Sequence, residues 1–202
     1  MATTGVRAGG KHSGINKAFS AGGVLGKGDS ITTCVGEVNF SDKKQVMAVL
    51  DRYQEEWKDL DYEMDCTITT DGKIWISRGA DGYVDVDVEN LAGAYSYHNH
   101  PKNLTKYSFS GEDIGVFLDD GYHHCKCSDH LYMYSIERTA KTVLPKTDNV
   151  YDTIQSEFNE TVLSVRMNGQ IIPGFNPDVD GYHYATIILA DKYGFKYTRK
   201  EK

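Results

Sequence analysis

Two histidines one residue apart, His98 and His100, are followed by Pro101 and then by Ser110, Gly111, Glu112 and Asp113. Side chains on a strand repeat direction every two residues, so both imidazoles can reach one ion. A carboxylate arriving from a helix N-terminus, Asp113, completes a tripod and leaves one zinc coordination position for water. An open site of that kind activates water near neutral pH and polarises a carbonyl, which suits amide hydrolysis. Each piece also has a plainer use. Ser110 and Asp113 form a capping box with Asp in place of Glu, Pro101 can simply end a strand, and an isolated His-x-His pair in a loop is usually hydrated. The capping and ligand uses are compatible, because capping fixes the helix start that presents Asp113.

Other chemistry-bearing residues are less organised. The run 123–130 (HHCKCSDH) is rich in donors, and Cys125 and Cys127 would share one strand face. A structural zinc site is imaginable there, but the spacing fits no common zinc framework, and a free Cys often serves as a small hydrophobe. His12 and His183 are isolated, Cys66 reads as core, and no Cys–His pair makes a nucleophilic dyad. The glycines at 22, 23, 26 and 28 precede no Gly-Lys-Ser/Thr, so they signal flexibility rather than phosphate binding.

The elements that must position these residues follow from periodicity. Residues 1–30 are rich in Gly, Ser and Thr and read as a flexible arm. Val46, Val49, Leu50, Tyr53, Trp57 and Leu60 recur at helical steps, predicting an amphipathic helix over 42–60 with Ser41 as its cap. Asp71-Gly72 lies between strand-formers at 63–70 and 73–77, a hairpin signal. Further strands are expected at 83–88, 94–98, 123–127 and 131–137, with a short helix from Ser110 to Gly121. A second amphipathic helix covers 150–165, a loop 169–181, and a last helix 182–193, with a possible strand at 195–198. The pattern argues for an α/β (α+β) domain over 31–202, a mixed β-sheet flanked by helices.

Taken together, the motifs resemble the JAMM (MPN-plus, JAB-domain) metalloproteases, in which a Glu on an early strand precedes His-x-His-Pro and Ser-x-x-Asp. The likeness spans about residues 62–138. The His-Asn-His-Pro and Ser-x-x-Asp-Ile wording is similar to JAB-type domains of RadC-like proteins. It is closer still to JAB-like domains at the end of phage Mu-type head-morphogenesis proteins. The resemblance implies a JAB/MPN-like fold with cytidine deaminase-like layering, a zinc cofactor on His98, His100 and Asp113, and Ser110 stabilising the oxyanion. Glu63, eight residues before Asp71, takes the place of the general base, with Asp65 and Glu37 as alternatives should the strand register differ. The implied activity is a metallopeptidase or isopeptidase of phage origin, acting on a virion protein or a ubiquitin-like conjugate. The alternative it leaves open is a non-catalytic phage structural or interaction module. Eight residues separate Pro101 from Ser110, more than is usual in that family, and the extra length near 104–107 would bulge beside the substrate.

Composition narrows the remaining classes. The chain has 202 residues, a net charge of −7 and 14 tyrosines. That length suits one buried core, and the tyrosines suggest half-wet, adhesive surface. The acidic balance disfavours nucleic acid, since the dense basic run is confined to the tail Lys196, Arg199, Lys200 and Lys202. No window reaches the length of a membrane span, and residues 1–19 lack the apolar core of a secretory signal. Four cysteines outside a disulfide-rich setting fit a reducing compartment. A cytoplasmic or virion-associated protein is expected, with nothing to set its oligomeric state.

Overall fold

Among the described residues, seven strands form one mixed sheet in the order β2-β4-β3-β6-β7-β8-β9. The computed structural model describes residues 6–8, 30–79, 84–101, 108–169 and 174–202. These strands are β2 (Ile31–Glu37), β3 (Met64–Ile68), β4 (Lys73–Arg78), β6 (Tyr95–Asn99), β7 (His124–Ser128), β8 (Tyr132–Glu137) and β9 (Lys196–Glu201). A short pair, β1 (Val6–Ala8) with β5 (Val84–Val86), runs parallel apart from it. Among the described residues, four helices complete the fold: α1 (Lys43–Trp57), α2 (Gly111–Asp119), α3 (Val150–Asn168) and α4 (Pro177–Tyr193). No described helix is long and apolar enough to cross a membrane.

All neighbours in the large sheet are antiparallel except β6 and β7. A parallel pair needs a crossover, and α2 supplies it. The β3–β4 hairpin turns at Asp71-Gly72 as expected. Gly72 has φ +88° and lies so close to Val38 that a Cβ would stand 2.4 Å from its carbonyl oxygen. Only glycine meets both conditions.

Strand alternation divides the core into two layers. Cys66, Ile68, Ile74, Tyr95 and Tyr97 pack with Val46, Leu50 and Trp57 of α1 on one face. Cys125, Cys127, Tyr134 and Ile136 pack with Phe117, Ile154, Phe158 and Leu189 of α2, α3 and α4 on the other. The tyrosines do not only dress surfaces, since Tyr97, Tyr122 and Tyr134 are among the largest fully buried side chains.

Several local expectations need correction. The cap of α1 is Asp42, whose carboxylate accepts from the Lys44 and Gln45 amides at 3.0 and 3.3 Å. Ser41 instead sends its own amide to Asn39 Oδ1. β2 was unannounced because five of its seven residues are exposed on the edge of the sheet, so no apolar alternation marks it. α4 starts at Pro177 rather than 182. Proline fits the first helical position because its missing N–H would have no partner there, and Asp180 Oδ2 reaches back to the Asn176 amide at 2.9 Å. Most of the expected arm 1–30 and the bulge at 104–107 fall outside the described residues.

Candidate metal centre

The centre is built where β6 ends and α2 begins. In register, His98 lies opposite Asp65 of β3 and opposite Cys127 of β7. Directly paired residues share a face, so one row across three central strands turns Asp65, His98 and Cys127 to the same side. His100, two residues beyond His98, follows it. Both histidines are 2% exposed, and their Nε2 atoms stand 3.1 Å apart. Phe109 meets the His98 ring edge-on at a centroid distance of 6.1 Å.

Ser110 caps α2, and its capping box with Asp113 is complete. Asp113 Oδ2 accepts from the Ser110 amide at 2.6 Å and from the Ser110 hydroxyl at 2.8 Å. Its other oxygen, Oδ1, lies 3.7 Å from His98 Nε2. The box therefore fixes the carboxylate that faces the imidazole, so the capping and site uses coexist.

Glu63 immediately precedes β3 and is fully buried, and among the described residues neither carboxylate oxygen has a hydrogen-bond partner. Asn99, on β6 between the two histidines, holds this segment by both ends of its carboxamide. Its Oδ1 accepts from the Met64 amide at 2.9 Å, and its Nδ2 donates to the Tyr62 carbonyl at 2.9 Å. Those bonds bracket Glu63 and tie it to the strand carrying His98.

Burial dominates the electrostatics. It pushes the Glu63 carboxyl well above the ordinary range, with the negative charges of Asp113, Glu112 and Asp65 adding to the effect. Asp65 is raised to about 7 by burial, partly offset by the hydroxyl of Thr67 that donates to it at 2.7 Å. Burial lowers His98 to about 3, so its imidazole is neutral and has a lone pair for an ion. It also raises the Cys127 thiol well above its ordinary value.

The fold thus brings together four of the expected residues, His98, His100, Ser110 and Asp113, with Glu63 in the same buried acidic neighbourhood. Glu37 does not join them. It is exposed on β2, opposite Lys73 and three strands from β6. Sequence reasoning missed two participants. Cys127, considered only with Cys125 for a separate site, forms a buried group with His98 and His100 whose ligand atoms all lie within 4.8 Å of one another. This cluster could hold a metal ion. His124 lies at the opposite end of β7, where both it and His123 pack on Tyr95. Asn99 was the other omission, although its place between the histidines puts it on the face opposite to theirs and toward β3.

No family model matches the chain, and no curated protein or solved structure matches it.

Proposed function

We propose that the chain is a JAMM-like zinc peptidase or isopeptidase with a JAB/MPN-like arrangement of its site. The carrying observation is the fully buried Glu63, whose two oxygens have no hydrogen-bond partner among the described residues, among the charges of Asp113, Glu112 and Asp65 and close to the neutral His98 imidazole. Burying such a group is unfavourable unless a cation or a reacting proton compensates it. The spacing of the two imidazoles fits a tetrahedral zinc ion, with Asp113 Oδ1 beside His98. Zn–N bonds of about 2.0–2.1 Å imply N···N spacings of roughly 3.3 Å. The two Nε2 atoms stand at 3.1 Å, and Asp113 Oδ1 at 3.7 Å from one of them.

His98, His100 and Asp113 would hold the ion. A bound zinc ion supplies Lewis acidity, polarising the scissile carbonyl and making water nucleophilic at neutral pH. Glu63 takes the proton of the attacking water on a carboxylate oxygen and later delivers it to the leaving amine. Its raised proton affinity suits a group that must both accept and give back a proton. The Ser110 hydroxyl turns from Asp113 toward the developing oxyanion. Asp113 Oδ2 still accepts from the Ser110 amide, 2.6 Å away in the structure, so that half of the capping box is kept. The leaving group is an α-amine or a lysine ε-amine. A virion protein or a ubiquitin-like conjugate in a phage-infected cytoplasm is the substrate class the motif wording favours.

Metal analysis of natively purified protein tests this reading, with about one zinc per chain expected. Glu63→Ala should keep the zinc and lose hydrolysis of peptide and ubiquitin-isopeptide substrates. A zinc-free protein that gains no thermal stability on zinc addition would sink the proposal.

A second reading, a non-catalytic phage structural or interaction module, is favoured by apolar side chains left exposed on two helices. Leu163 and Met167 of α3 are 61% and 78% exposed, and Ile187 and Ile188 of α4 are 40% and 48%. Retained zinc with no hydrolysis by the wild type would select it.

A further inference from the structure

We propose that Cys127 is itself a ligand of the ion, its sulfur joining His98 and His100 in the first coordination sphere. The inference rests on the metal-centre reading above but assigns a donor which the motif does not contain. Three observations carry it. The sulfur and the two imidazole nitrogens lie within 4.8 Å of one another. Cys127 is the direct partner of His98 across the parallel β6–β7 pair, so their side chains share one face and one level of the sheet. All three residues are buried, Cys127 at 1% exposure.

Zn–S bonds of about 2.3 Å and Zn–N bonds of about 2.0–2.1 Å imply S···N spacings of roughly 3.6 Å. A shift of at most about 1.2 Å brings the sulfur there, within the reach of a side-chain torsion. The strand pairing that fixes His98 fixes Cys127 equally, so the donor is preorganised. On binding, the S–H bond breaks, a sulfur–metal bond forms, and the proton leaves to solvent.

The consequence is a centre unlike an all-nitrogen-and-oxygen one. Asp113 has one oxygen engaged by Ser110 and offers the other toward His98. If Asp113 Oδ1 bound beside Cys127 and the two histidines, four protein donors would surround the ion, as in closed sites. Substrate or water would then have to displace a donor or expand the sphere. A thiolate also biases the site toward zinc or cobalt and away from magnesium or manganese.

Cobalt(II) loading of the metal-stripped full chain tests this, read by absorption rather than activity. The wild type should show visible ligand-field bands of tetrahedral cobalt together with a near-ultraviolet thiolate-to-cobalt charge-transfer band. Cys127→Ser should keep the visible bands, lose the charge-transfer band and bind cobalt about tenfold or more weakly. Cys125→Ser, on the same strand but outside the cluster, should keep both. Visible bands without charge transfer in the wild type would overturn the ligand role of Cys127 while leaving the metal centre standing. A charge-transfer band that survives in Cys127→Ser would overturn it too. No cobalt uptake at all would refute the metal-centre reading itself, and this proposal with it. The wild-type spectrum alone decides if the serine variant does not fold.

Discussion

Glu63→Gln should stabilise the metal-free protein at neutral and higher pH. Glu63 is fully buried, and neither of its oxygens has a hydrogen-bond partner among the described residues. Burial and then the charges of Asp113, Glu112 and Asp65 all raise its proton affinity. A buried, unsatisfied polar group costs about 1–3 kcal/mol and a charged one more. Glutamine keeps the shape and removes the charge, so a gain of about 1–3 kcal/mol follows. At this chain length that corresponds to a Tm rise of about 2–4 °C per kcal/mol.

The pH dependence identifies the cause. Glu63 binds its proton more tightly in the folded chain, so its contribution is fully present below the ordinary glutamate range. It is lost as pH rises through the folded value. Asp65 acts with the same sign through about 7. His98, lowered to about 3, acts oppositely, its contribution being lost as pH falls below the ordinary histidine range toward that value. The wild-type profile sums these, whereas the difference between wild type and Glu63→Gln isolates residue 63. Thermal denaturation of chelator-treated protein from pH 4 to 9 should give similar Tm values at the acid end and a widening advantage for the variant above it. A variant less stable than wild type, or a difference independent of pH, would refute the account of Glu63 as a destabilised buried carboxylate.

Zinc at a hundredfold excess over its Kd should stabilise the wild type by about 2.7 kcal/mol. Differential scanning fluorimetry should show that shift lost in His98→Ala and His100→Ala. Asn99→Ala removes the two bonds that bracket Glu63. It should leave zinc content unchanged, cost about 1–3 kcal/mol in urea unfolding, and slow hydrolysis up to about 100-fold through misplacement of the base. Asp42→Ala should destabilise by about 1 kcal/mol through loss of the α1 cap, with Ser41→Ala close to neutral in the same assay.

The site was more legible than the fold around it. His98 and His100 announce themselves because alternation along one strand is a local rule, and Ser110 with Asp113 because a capping box spans one helical turn. Cys127 was invisible as a partner because its relation to His98 is set by the parallel pairing of β6 with β7, a contact between residues 29 apart in the chain. Asn99 was overlooked for the same reason, since it acts across to the segment before β3. β2 escaped notice because an exposed edge strand is held by backbone bonds and carries little apolar pattern. The start of α4 was hidden by Asn176 and Pro177, residues that serve a turn and a helix N-terminus equally well.

The most direct test of the metal centre is a crystal structure of natively purified protein with anomalous data on both sides of the zinc K-edge. The account predicts one strong peak between His98 Nε2 and His100 Nε2, bordered by Asp113 Oδ1 and absent below the edge. No peak there, or zinc only at exposed surface residues, would contradict it.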